Sequence, residues 1–282
     1  AKEVRFVQKS EYKVTLTMPT FHIYVRGMTL SGPYITMEIT SPCEHVFRFR
    51  TYHFKGDNSL APSLFRLNAD NIKISAEEDE KTVVVKSGAS ILVIDKENYG
   101  YELIRDGRVI TGSREGALAY IDGDHGCFMR EQLNLCVGEH VYGLGERFGN
   151  FIRNGQRIDI VNKDGGTFSE QSYKNIPFYI TDNNLGVFVN HSEEINFEVA
   201  SENVSKVQFS VRGECLDYYL FAGESMKELI KLYTGITGRV PKLPDWSFGL
   251  WLSTSFSTDY DEKTVLSFVD GMRDRGIDLS VF

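Results

Sequence analysis

The sequence predicts a mainly β protein, a large two-sheet antiparallel β-sandwich followed by the first unit of a parallel β/α arrangement. Three observations carry this. Apolar residues alternate with a period of two from the N-terminus to about residue 220. Asn, Gly and Asp turns divide that region into many short runs, as a sandwich requires and a βα repeat does not. At Ser225 the period changes to that of a helix, and a strand, a helix and a second strand close the sequence.

The elements follow in order. Phe21, Ile23 and Val25 alternate with His22, Tyr24 and Arg26, which predicts a first strand. Ile35, Met37 and Ile39 repeat the pattern, as do Phe47 and Phe49, then Ile72 and Ile74. The clusters TVVV and SILVI flank Gly88. Asp106-Gly107 lies between YELI and RVI, a strong signal for a two-residue hairpin. Further strands are expected at 186–190, 195–199, 207–211 and 216–221. Ser225 to Glu228 reads as a capping box, and Met226, Leu229, Ile230 and Tyr233 form an apolar stripe ending at Gly235 or Gly238. Pro241 and Pro244 stiffen the connector that follows, which places a boundary between domains 1–240 and 241–282.

From Trp246 the pattern is of another kind. WSFGLWL is a nearly all-apolar run, as for a strand covered on both faces. Val265, Phe268, Val269 and Met272 mark one face of a helix from Asp261 to Arg275, and Gly276 stands where a left-handed C′ residue is wanted. Leu279, Val281 and Phe282 restart a strand. One such unit has no sheet of its own to join, so the chain is expected to be a segment of a longer protein.

Composition narrows the function classes. The net charge of -8, with no basic block, speaks against nucleic acid and anionic membrane surfaces as partners. No run approaches a membrane span, and a cytoplasmic location is expected. The 14 Tyr and 19 Phe favour strands and ligand-facing surfaces over helical bundles. Cys43, Cys127, Cys136 and Cys215 have no CxxC or His spacing, so neither a metal nor a cofactor is expected. Two disulfides would use all four, but scattered cysteines in a chain of this size are expected to stay reduced.

Two segments are rich in residues that strand packing does not explain. GLGERFG (143–149) and NKDGGTFSEQSYKNIPFY (162–179) combine glycines, charges and aromatics. Gly165-Gly166 permits a sharp loop that can push Asp164 clear of its own domain. Composition alone favours Asp164 as a solvated turn residue bonded to its own backbone, its usual place beside glycine. In STSFSTDYDE (253–262), Phe256 lies among small hydroxyl residues and can offer its ring to a ligand or pack down as core. Asp259 and Asp261 read as helix cap and first-turn charge.

VYGLGERF (141–148), NKDGGTFSEQSYKNIPFYIT (162–181), VSKVQFSV (204–211) and WSFGLWLSTSFSTDYDE (246–262) resemble glycoside hydrolase family 31, and within it the α-xylosidase branch. The resemblance runs through most of residues 130–282 and is weak before 125. It implies a galactose-mutarotase-like sandwich, then the opening of a catalytic (β/α)8 barrel at Trp246. The implied activity is retaining exo-hydrolysis of terminal non-reducing α-D-xylose from α-xylosides or xyloglucan-derived oligosaccharides. Both catalytic aspartates would lie beyond Phe282, so neither Asp259 nor Glu146 takes either role. The resemblance makes Asp164 an acid inserted at the pocket mouth and Phe256 a pocket-lining aromatic, and leaves Arg147 as a brace of the sandwich. The remainder of the barrel and further copies of the chain, as a homo-oligomer, are the expected partners. An α-glucosidase of the same family and a non-catalytic carbohydrate-binding sandwich are the competing readings.

Overall fold

The computed structural model describes residues 1–56, 67–163, 169, 171–254 and 260–282. The chain divides into two compact units, Ala1–Gly238 and Arg239–Phe282.

The first unit is an antiparallel β-sandwich. One layer is an eight-stranded sheet in the order Phe6–Lys9, Val14–Pro19, Tyr34–Thr40, Val46–Tyr52, Cys215–Ala222, Leu185–Val189, Phe178–Thr181, Val141–Gly143. The other layer is made of two five-stranded sheets. The first runs in order Ala119–Gly123, Gly126–Asn134, Lys206–Arg212, Ile195–Val199, Gln156–Ile160. The second is a meander of Ser75–Glu78, Thr82–Ser87, Ser90–Asp95, Gly100–Arg105 and Arg108–Ser113. Residues of all three sheets share one core. Alternation does what it predicts: Ile35, Met37 and Ile39 face inward, as do Phe47 and Phe49 of the neighbouring strand, with Ile39 opposite Phe49 and Met37 opposite Thr51. The Phe49 ring stacks on Tyr218 at 4.9 Å. Each large apolar side chain buried this way stabilises the sandwich by about 1.5–3 kcal/mol.

The hairpin at Asp106-Gly107 forms as expected, with φ of 52° and 76° in the left-handed region that its turn requires. A buried acid ties the layers together. The Glu131 carboxylate accepts hydrogen bonds from Ser113 Oγ at 2.8 Å, the Gln132 N–H at 2.9 Å and Tyr218 OH at 3.1 Å. Burial pushes its pKa above the ordinary carboxyl value, although those three hydrogen bonds oppose the shift.

Helix α1 (Met226–Thr237) is capped by Ser225, whose side chain accepts from the Glu228 N–H at 3.2 Å. Glu228 in turn accepts from the N–H of Glu224, one residue before the cap. The buried face is Leu229 and Ile236 with Leu232 and Tyr233, and the Tyr233 ring stacks on Phe178 at 4.0 Å. Ile230, expected in the stripe, is exposed. Gly238, at φ 102°, ends the helix.

Two expected strands are absent. Residues 21–25 are irregular and lead into a 3-10 turn, Arg26–Leu30, because Gly27, Gly32 and Pro33 break the alternation before a partner strand is reached. Ile72 and Ile74 precede the strand Ser75–Glu78, and their N–H groups bond to the carbonyls of Ser41 and Glu11, outside any ladder.

The second unit is a βαβ element. The apolar run from Trp246 is a 3-10 turn, Asp245–Phe248, followed by the short strand Leu250–Trp251. This is shorter than the strand expected, since the chain turns at Pro244 and Gly249. Within this unit Trp246, Phe248, Leu250 and Trp251 are exposed. Leu250–Trp251 pairs in parallel with Leu279–Val281. Helix α2 (Glu262–Asp274) is capped by the Asp261 carboxylate, which accepts from the Thr264 N–H at 3.0 Å. At its other end the N–H of Gly276 bonds to Arg273 O and that of Ile277 to Met272 O, the paired bonds that a left-handed glycine allows.

Candidate functional site

The candidate site in the first unit is built on the glycine-rich turn that follows the strand Val141–Gly143. Gly143, Leu144 and Gly145 all have positive φ, 113°, 63° and 89°. The backbone closes tightly there: a Cβ on Gly145 would lie 2.3 Å from the Lys174 carbonyl oxygen. Glycine is therefore required at this point on two counts, conformation and space. Leu144, the one residue of the three with a side chain, is fully buried in the core.

This turn delivers Arg147 and, with it, the root of the segment bearing Asp164. Arg147 Nε donates to Leu144 O at 3.1 Å and Nη2 to Asp159 O at 2.9 Å. Nη2 also donates to Asn175 Oδ1. Asn175 then donates to Val161 O, Asn162 Oδ1 and Ser172 O at 2.7–3.0 Å. Ser172 Oγ donates to Glu146 O at 2.6 Å, and the Lys163 N–H bonds to Ser172 O at 3.1 Å. Glu146 and Lys174 form an ion pair at 2.8 Å, which raises the lysine's pKa. Chain entering and leaving the 164–170 stretch is thus tied together by one guanidinium and one amide. Arg147 braces the sandwich, as expected from sequence, and the structure supplies its partners.

Beside this root lies a cleft of about 830 Å³. Phe148, Arg153, Gln156, Arg157, Lys163 and Gln171 are among the residues that line it. Arg153 is 6% exposed and donates to the carbonyls of Gly143, Asn150 and Gly145. Among the described residues it has no carboxylate partner, and burial pushes its pKa down. Arg157 sits near Asp159 and Glu198, at 3.6 and 3.7 Å.

Asp164 and Phe256, the two site residues expected from sequence, lie outside the described residues, as does Asp259. Around Phe256, Thr254 Oγ1 donates to Tyr260 OH at 3.0 Å, and Asp261 caps α2. Arg153 and Asn175 escaped the sequence reading. Neither sits in a periodic pattern, and their partners are brought in by the fold. The nearest signal was the density of Gly and Asn around them.

Among the described residues no group of His, Cys, Asp and Glu could hold a metal ion, and no helix is long and apolar enough to cross a membrane. The four cysteines are free.

A family model, the glycosyl hydrolase 31 N-terminal galactose mutarotase-like domain, matches residues 36–198. The α-xylosidase XylQ of Lactiplantibacillus pentosus is 41% identical over 285 aligned positions, covering 100% of this chain and 37% of that protein. An α-xylosidase of Emericella nidulans is 40% identical over 282 positions, covering 91% of this chain and 36% of that protein. The chain therefore spans a little over a third of the length of these curated relatives. Its fold is similar to that of a glycoside hydrolase family 31 dextranase from Flavobacterium johnsoniae solved with glucose, with a TM-score of 0.79 and 18% identity over 99% of this chain and 33% of that one. The matched domain covers more than half of the chain and lies within the sandwich unit, so the chain belongs to glycoside hydrolase family 31.

Proposed function

We propose that residues 1–282 are the N-terminal part of a retaining, exo-acting α-xylosidase that releases terminal α-D-xylose from α-xylosides. The observation that carries this reading is the 41% identity to an α-xylosidase along the whole chain, sandwich and βαβ unit alike. In this reading residues 1–240 form the sandwich domain, and 241–282 open the catalytic barrel. Two aspartates supplied by chain beyond Phe282 do the bond-breaking. One attacks the anomeric carbon while the other protonates the leaving oxygen and then activates water, which requires carboxyls about 5–5.5 Å apart. Asp164 contacts sugar hydroxyls at the pocket mouth, and Phe256 lines the pocket. The rigid root built by Arg147 and Asn175 supports this, because a binding loop needs a fixed base.

The test is kcat/KM of the full-length enzyme on aryl α-xylosides and aryl α-glucosides. A preference for the α-xyloside is expected, and a preference for the α-glucoside would make the enzyme an α-glucosidase of the same family. Asp164→Ala should lower kcat/KM by about ten- to 150-fold, since a charge-assisted hydrogen bond in a dry pocket is worth about 1.5–3 kcal/mol. Unchanged kinetics would return Asp164 to the role of a turn residue.

A further inference from the structure

The cleft beside the strand Gln156–Ile160 carries a charge that the sandwich itself does not use. Arg153, Arg157 and Lys163 line it with Arg147, and Asp159 is the one carboxylate among the described lining residues. The chain as a whole has a net charge of -8, and a cleft lined by one sign of charge gathers ions of the other. We propose that this cleft binds a phosphate group, as free phosphate or as part of a small organic ester. The proposal does not depend on the glycosidase reading above.

Three of these cations keep donors for an anion. Arg153 is 6% exposed, and a guanidinium has five N–H groups. The carbonyls of Gly143, Asn150 and Gly145 take three of them, the last at 3.5 Å. A buried charge that meets no described carboxylate is destabilising, and an anion in the cleft offsets that cost. Arg157 is exposed, and its approaches to Asp159 and Glu198 at 3.6 and 3.7 Å are too long for hydrogen bonds. Exposed pairs of that kind contribute little, so a phosphate making short charge-assisted bonds displaces them. Asp159 is itself held by the Asn196 side chain on the neighbouring strand. Lys163 is exposed and forms no ion pair with a described residue. These three cations stand before, within and after one strand, an arrangement that suits a tetrahedral dianion. A planar carboxylate would be satisfied by a single guanidinium fork. The cleft volume of about 830 Å³ also leaves room beyond the phosphate, where the exposed Phe148 ring offers an apolar surface to the organic part of an ester.

The experiment titrates the full-length protein with inorganic phosphate and with a nucleoside 5′-monophosphate by calorimetry at fixed ionic strength, with acetate and xylose as controls. Binding of a phosphate with a Kd at or below about 1 mM is expected, and none of either control. Arg157→Ala and Lys163→Ala change exposed residues, so each should keep the melting temperature and weaken binding about ten- to 100-fold. Arg157→Lys should retain part of the affinity. Phe148→Ala separates the sources: weaker binding of the monophosphate alone marks an ester, and equal affinities of the two phosphates in the wild type mark free phosphate. No phosphate binding, acetate binding as tight as phosphate, or phosphate binding that survives both alanine substitutions would overturn the proposal. So would a wild type that binds no phosphate while ligand-free Arg157→Ala and Lys163→Ala melt lower, since an acidic segment of the protein itself would then occupy the cleft.

Discussion

Gly145→Ala separates conformation from space at the turn on which the site is built. Gly145 has φ 89°, and a Cβ there would meet Lys174 O at 2.3 Å and Asn175 Cα and Ile176 N at 3.0 Å. Gly138 supplies the control, with φ 79° and nothing within 4 Å of its added Cβ. Both substitutions bear the positive-φ penalty of about 1–2 kcal/mol. Only Gly145→Ala adds overlap with backbone, which cannot swing aside as a side chain can and costs about 1–3 kcal/mol more. At about 2–4 °C per kcal/mol for a domain of this size, the melting temperature of Gly145→Ala should lie about 2–12 °C below that of Gly138→Ala. The overlap pushes on Lys174 and Asn175, so kcat/KM on an aryl α-xyloside should fall for Gly145→Ala and hold for Gly138→Ala. Thermal melts and initial rates on the two purified full-length variants provide the comparison. Equal melting temperatures and equal rates would show that the contact with Lys174 is soft and that the root of the site does not depend on it.

Other outcomes follow from the buried acid and from the second unit. Folding raises the pKa of Glu131, so above the ordinary carboxyl range the folded protein keeps a proton that the unfolded chain has released. That contribution is complete below the unfolded pKa and is lost as pH rises through the folded one. Glu131→Gln should therefore flatten the fall in melting temperature as pH rises above the ordinary carboxyl range, and an unaltered slope would mean that Glu131 is not its source. Residues 1–282 produced alone should self-associate through exposed Trp246, Phe248 and Trp251. Light scattering over a dilution series would show it, and a monodisperse monomer would contradict it.

Much of the fold was legible because its cues are local. Asp106-Gly107 fixes a hairpin through the φ values of two residues, and Ser225 and Gly238 bound a helix by capping and conformation. Phe21 to Val25 shows the limit of such cues. Alternation is necessary for a strand but does not supply a neighbour, and here the following glycines and proline take the chain away. Ile230 was misplaced because a helix stripe three to four residues apart can be drawn through either flank of the same face. The division of one layer into two five-stranded sheets is a property of pairing between distant strands, which no single strand records. Arg147 was expected as a brace only through the family resemblance, which could not name its partners. Asn175 and Arg153 were not, since their hydrogen bonds exist only after Val141–Gly143, Gln156–Ile160 and the 172–175 segment have come together.

The order of strands in the sandwich also sets a timetable for synthesis. The meander from Ser75 to Ser113 pairs only neighbours in sequence, so it can form soon after it leaves the ribosome. The eight-stranded sheet cannot. Val46–Tyr52 has Cys215–Ala222 as its partner on one side, and the bidentate pair joining them, Arg48 to Asp217, spans 169 residues. At about 5–20 residues per second, the edge of Val46–Tyr52 stands open for on the order of ten to thirty seconds after it is made. During that interval the nascent chain exposes the open edge of a strand carrying Phe47 and Phe49, the kind of surface that chaperones bind and aggregates grow from.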